Sequence, residues 1–122
     1  MGQPILAEMS QPLIPALEKL IGTARDGALL RYSLGNEYLK AGDAVRAIEQ
    51  LREAVKRDPD YSAAWKLLGR ALADAGEAAQ AIEAWGHGVE AARRKGDRQA
   101  EKEMTVFSRR LARSANRNRD GA

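Results

Sequence analysis

Residues 34–55 read LGNEYLKAGDAVRAIEQLREAV, and residues 68–89 read LGRALADAGEAAQAIEAWGHGV. Laid over each other at an offset of 34, they share Leu34/Leu68, Gly35/Gly69, Ala41/Ala75, Gly42/Gly76, Ala47/Ala81, Ile48/Ile82, Glu49/Glu83 and Val55/Val89. Conservative pairs fill the gaps: Tyr38 with Leu72, Asp43 with Glu77, Leu51 with Trp85 and Ala54 with Gly88. Self-similarity at one fixed period marks a repeat architecture, in which each unit covers its neighbour's apolar face.

Each unit reads as two helices and a tight turn. Leu30, Leu34 and Tyr38, then Ala47, Leu51, Ala54 and Val55, recur at helical spacing and give each helix one apolar stripe. Lys40-Ala41-Gly42-Asp43 closes the first helix with glycine and offers Asp43 as the next N-cap, and Ala75-Gly76-Glu77 repeats that turn. Asp58-Pro59-Asp60 stops the second helix, because proline can neither continue it nor tolerate helix before it. Gly35 and Gly69 fall mid-helix, where close approach of a partner helix is the expected compensation.

These residues resemble the tetratricopeptide repeat. Trp65, Leu68, Gly69, Leu72, Ala81, Trp85 and Gly88 stand at the signature spacing, as do Leu34, Gly35, Tyr38, Ala47, Leu51, Ala54 and Pro59 in the first copy. Arg31 replaces the usual tryptophan, which should loosen an aromatic contact. Gly88 stands for the usual alanine. Arg93 stands for the usual proline, so the last helix of copy two should run on. The resemblance implies an all-α fold of antiparallel helix-turn-helix repeats, about six helices stacked as a short right-handed superhelix.

The flanks extend the pattern. Leu13, Leu17 and Leu20 precede Ala47, Leu51 and Ala54 by 34 residues, so residues 12–25 read as the second helix of a missing repeat. Ala100, Met104, Phe107 and Leu111 form another stripe, capped by Asp97 and in phase if one residue is inserted before it. Met104 then takes the glycine position, where looser packing is expected. The resulting plan is a flexible N-terminus over 1–11 and one domain over 12–112. Within that domain lie a half-repeat (12–25), two repeats (28–61 and 62–95) and a capping helix (97–113). A disordered basic tail covers 114–122.

Composition limits the chemistry. Among 122 residues cysteine is absent, so disulfides, thiolate catalysis and cysteine zinc sites are excluded, in keeping with a cytoplasmic location. No apolar run is long enough to span a membrane, and Met1 to Leu13 lacks the basic leader of a signal peptide. His87 is the single histidine, so neither a histidine metal cluster nor a Ser-His-Asp triad can form, and it reads as a plain, partly exposed helix residue. Glu49 and Glu53 lie among Arg46, Arg52 and Lys56 as a solvated face, and Gly35 and Gly69 sit in helices instead of phosphate loops. No enzyme and no cofactor are expected.

A binding surface remains. In the family, stacked first helices line a concave groove that takes peptides or helices. Its groove positions fall here on Leu29, Tyr32, Asn36, Leu39 and Lys40, and then on Ala63, Lys66, Arg70, Ala73 and Asp74. In the last helix Arg98, Lys102, Thr105 and Arg109 follow. Apolar patches therefore adjoin a basic stripe of Lys40, Lys66, Arg70, Arg98 and Lys102, which suits an acidic segment. Some relatives clamp carboxy-terminal peptides. Asn36 matches that clamp, but Tyr32 and Leu67 depart from it, so the clamp is not assigned. The leading expectation is a protein-interaction adaptor; the alternative is a self-assembling structural unit, a homo-oligomer built through the half-repeat. Nucleic-acid binding through Arg109, Arg110, Arg113, Arg117 and Arg119 is disfavoured, because only Phe107 is near to stack a base.

Overall fold

The computed structural model describes residues 13–120, so the segments read as a flexible N-terminus (1–11) and the last two tail residues lie outside the described residues. Six helices follow in order: α1 Leu13–Glu18, α2 Ala28–Lys40, α3 Ala44–Arg57, α4 Ser62–Asp74, α5 Ala78–Lys95 and α6 Arg98–Asp120. No strand occurs among the described residues. Helices α2 and α3 form one antiparallel pair, α4 and α5 the next, and α6 closes the stack on α5. The first helices of successive units also touch, α2 with α4 and α4 with α6, whereas α3 and α5 do not meet at backbone distance. Closer approach on one side curves the stack, which makes α2, α4 and α6 its inner wall.

The turns close alike. Asp43 N–H donates to Tyr38 O, Glu77 N–H to Leu72 O and Asp97 N–H to Ala92 O, each five residues back, around Gly42, Gly76 and Gly96 at φ of 81, 81 and 72°. This is the Schellman closure, which satisfies carbonyls the helix end leaves free. The carboxylate of Asp43 accepts Arg46 N–H at 3.0 Å and that of Asp97 accepts Ala100 N–H at 3.0 Å, so both serve as N-caps.

Packing within each pair depends on a missing side chain. A Cβ on Gly35 would come within 2.5 Å of Leu51 Cγ, and one on Gly69 would collide with the indole of Trp85. Trp85 is only 5% exposed. Burying a tryptophan removes roughly 150–250 Å² from water, a gross gain of about 4–6 kcal/mol. That outweighs the roughly 1 kcal/mol that mid-helix glycine costs.

The end helices differ from the sequence reading in register. Helix α5 has 18 residues against 14 for α3, so it runs a full turn further, through Arg93 to Lys95, before Gly96 stops it. Helix α6 consequently starts 36 residues after α4, a two-residue shift where one was expected. Met104 therefore matches Leu68 instead of the glycine position, and it is fully buried instead of loosely packed. Its sulfur lies where a Cβ of Gly88 would be, with Trp65 Cβ on the other side. Helix α6 also continues to Asp120, through the stretch from Ser114 read as disordered. No glycine or proline interrupts it before Gly121, and Leu111 and Phe107 pack against the core.

At the other end, the helix expected over 12–25 stops at Glu18 and gives way to turns. Thr23 Oγ1 donates to Leu20 O at 2.6 Å, and Gly22, at φ 81°, donates its N–H to Asp26 Oδ2 at 2.9 Å. Ile14, Leu17 and Leu20 still pack on the core. Arg31, at the missing tryptophan, makes a bidentate pair with Asp26 (Nε–Oδ1 2.8 Å, Nη2–Oδ2 3.0 Å) and reaches Gln50 Oε1 at 3.2 Å. The aromatic contact is thus exchanged for a nearly buried ion pair whose side chains are 15% and 7% exposed.

Two outcomes follow from this packing. Gly69→Ala should lower stability by about 1–3 kcal/mol in urea denaturation, despite the better helix propensity of alanine, because Trp85 must move; an unchanged or raised midpoint contradicts that. The Asp26 carboxyl is held well below the usual carboxylate range, first by the Arg31 hydrogen bonds, then by Gly22 N–H and the charges of Arg31 and Arg57. It binds fewer protons folded than unfolded, so its contribution is complete above about pH 4 and fades as pH falls further. The stability gap between wild type and Asp26→Asn should therefore be widest near neutrality and shrink below about pH 4. Parallel curves of urea midpoint against pH would show that the pair does not matter.

Candidate functional site

Most of the residues singled out in the sequence lie on α2, α4 and α6. Leu29, near the start of α2, is 68% exposed. One turn on, Tyr32 packs tilted against Tyr61, with centroids 5.0 Å apart. Asn36 and Leu39 continue along α2, each half-buried. On α4, Arg70 and Asp74 are exposed, as are Arg98 and Lys102 on α6.

The basic stripe is partly neutralised from within. Lys40 Nζ lies 2.9 Å from Glu37 Oε2, and Lys66 Nζ lies 3.4 Å from Glu103 Oε2 across the α4–α6 contact. Arg70, Arg98, Lys102 and Arg110 have no ion-pair partner among the described residues. The sequence shows the cations but not which of them are matched, since Lys66 and Glu103 meet only when the stack forms.

A cleft of about 500 Å³ opens between α4 and α6, lined by Arg70, Ala73, Trp85, Phe107, Arg110, Leu111 and Ser114. Helix α4 supplies Arg70 and Ala73, α6 supplies Phe107 to Ser114, and the indole of Trp85 rises between them from α5. The indole is fixed from two sides. Its Nε1–H donates to Lys66 O at 3.1 Å, and Phe107 packs against it with centroids 5.6 Å apart at 52°. The sequence places Trp85 at a signature position, Phe107 on the apolar stripe of the last helix and Arg110 in a disfavoured nucleic-acid group. The spacing Phe107, Arg110, Leu111, Ser114 places all four on one helix face, which is the signal that links them. Leu29, Tyr32, Asn36 and Leu39, on α2, lie outside this cleft, as do Lys40, Lys66, Asp74, Arg98 and Lys102.

The outer side has a smaller cleft of about 280 Å³ between α3 and α5, whose lining includes Arg52, Lys56, Trp65, Gln80, Glu83 and His87. Trp65 Nε1–H donates to Pro59 O at 2.8 Å. His87 stacks on Trp65 at 4.9 Å and sits 3.9 Å from Glu83. The histidine is more exposed than the partial exposure expected, and its ring is engaged instead of free. Among the described residues no group of three or more acids and histidines is placed to hold a metal ion. None of the described helices is long and apolar enough to cross a membrane.

With this geometry in view, the similarities to other proteins fall into place. A tetratricopeptide repeat family model matches residues 32–97. A TPR repeat-containing protein of Pseudomonas aeruginosa is 54% identical over 102 residues, covering 84% of this chain and 97% of that protein. A Bordetella parapertussis protein solved in solution is 42% identical with a TM-score of 0.73, over 85% of this chain and 90% of that one. The Sgt2 TPR domain from Aspergillus fumigatus superposes with a TM-score of 0.77 at 27% identity, over 91% of this chain and 73% of that one. Such repeats generally mediate protein–protein interaction, and their members are typically non-catalytic adaptors. By its repeated helix pairs and by these matches, the chain belongs to the tetratricopeptide repeat family.

Proposed function

We propose that this protein is an adaptor that binds a peptide or helix of another protein on the wall formed by α2, α4 and α6, without catalysing a reaction. The observation that carries this reading is the α4–α6 cleft, an apolar recess on the inner wall with unmatched arginines at its edge. Peptide grooves commonly combine apolar recesses that hold side chains with a few charges that set orientation. The unmatched positive charge favours an acidic segment, held by charge-assisted hydrogen bonds of about 1.5–3 kcal/mol each where water is excluded.

A second reading, self-assembly, rests on α1 and the turns after it, where Leu13 and Ile21 are 43% and 38% exposed. Another copy could cover that end of the stack. Sedimentation mass that rises with concentration would favour it.

The adaptor reading is tested by affinity capture from the source organism's lysate, with wild type against a Lys66→Gln/Arg70→Glu double variant of unchanged helical circular dichroism. Glutamine at 66 avoids setting a second acid against Glu103. A specific partner held by wild type should be retained at least tenfold less by the variant, the loss expected for one or two charged hydrogen bonds. Equal capture by both proteins would remove the inner wall from consideration.

A further inference from the structure

The α4–α6 cleft has a chemistry that narrows the partner, and the following rests on the adaptor reading above. Its floor and walls are carbon-rich: Trp85, Phe107, Leu111 and Ala73. Two arginines frame it from opposite sides, Arg70 on α4 and Arg110 on α6, and neither has an ion-pair partner among the described residues. No acidic residue lines the cleft, and Glu103, the acid between the two helices, is already taken by Lys66. Asp74, one turn beyond Arg70, is exposed and outside the lining.

We infer that this cleft is an anchor site for one bulky apolar side chain carried in an acidic peptide segment, with a carboxylate on either side of it. The cleft's volume, about 500 Å³, has room for a phenylalanine or leucine side chain. The opposed arginines select for charge before and after the anchor, because a guanidinium pairs with a carboxylate in a bidentate fork. A single carboxylate at a chain terminus would satisfy one arginine and leave the other unmatched. An aromatic anchor also gains ring contacts with Trp85 and Phe107, which already meet at a tilted angle. The site is separate from the positions Asn36 and Lys40, and its specificity is set by residues of α4, α5 and α6.

The indole N–H of Trp85 provides the readout. The chain has two tryptophans, so Trp65→Phe assigns the two indole signals in a nitrogen–proton correlation spectrum. The probes are three acetylated peptide amides: Asp-Asp-Phe-Asp-Asp, the same with alanine for phenylalanine, and the same with asparagine for every aspartate. Expected is a saturable shift of the Trp85 indole with the first peptide, and at least tenfold weaker binding of the other two. Arg110→Glu, on an exposed helix face, should weaken the first peptide by at least tenfold while the helical signal stays. No saturable shift up to about 5 mM peptide, equal binding of the asparagine peptide, or indifference to Arg110→Glu would each overturn the inference. The two readings fail separately. Partner capture that depends on Lys66 and Arg70 but survives Arg110→Glu leaves the adaptor standing and removes this anchor. Peptide binding at Trp85 without any captured partner does the reverse.

Discussion

Everything in this small stack depends on how closely the two helices of each unit approach. Gly35 under Leu51 and Gly69 under Trp85 set that distance, since neither site has room for a Cβ. The close fit buries Leu34, Leu51, Leu68 and Leu72 almost completely and brings the Trp85 indole within reach of the α4 backbone. Gly88 extends the same device to the next helix, where its missing side chain seats Met104 and so docks α6. The described residues pack around one hydrophobic core, so this contact governs fold and binding face together.

The functional surface follows from that geometry. Because α2 touches α4 and α4 touches α6 while α3 and α5 stand apart, the stack curves toward its first helices, with one cleft between α4 and α6 and a smaller one between α3 and α5. On the inner wall, the indole held over Gly69 becomes the floor between α4 and α6. Ion pairing then edits the charge pattern. Lys40 and Lys66 are matched by Glu37 and Glu103, which leaves Arg70, Arg98, Lys102 and Arg110 still unmatched among the described residues. Matched surface pairs contribute little to stability, but they remove cations from competition for a partner.

Much of the fold was legible because its determinants are local and repeated. The offset of 34 and the glycine turns at Gly42 and Gly76 specify both helix pairs without reference to anything distant. The register of α6 was not legible, since it depends on where α5 stops. That stop came a full turn late, at Gly96, once proline was missing. Arg31 read as a weakened aromatic site because its partner, Asp26, belongs to a turn that forms only as α1 ends early. The cleft was hidden for a related reason. Phe107 and Leu111 share the α6 stripe with fully buried Met104, and only the packed structure shows that they stay half-open beside Trp85. Which lysines are neutralised was equally out of reach, because Lys66 and Glu103 are 37 residues apart.

The most direct measurement is photo-crosslinking in cells from two single positions bearing benzoylphenylalanine. One replaces Ser114, in the inner cleft, and the other replaces Glu83, beside the outer one. A discrete crosslinked partner from position 114 and none from 83 is the result this account requires. A partner captured from 83 alone would contradict it, because binding would then lie on the face where the second helices part.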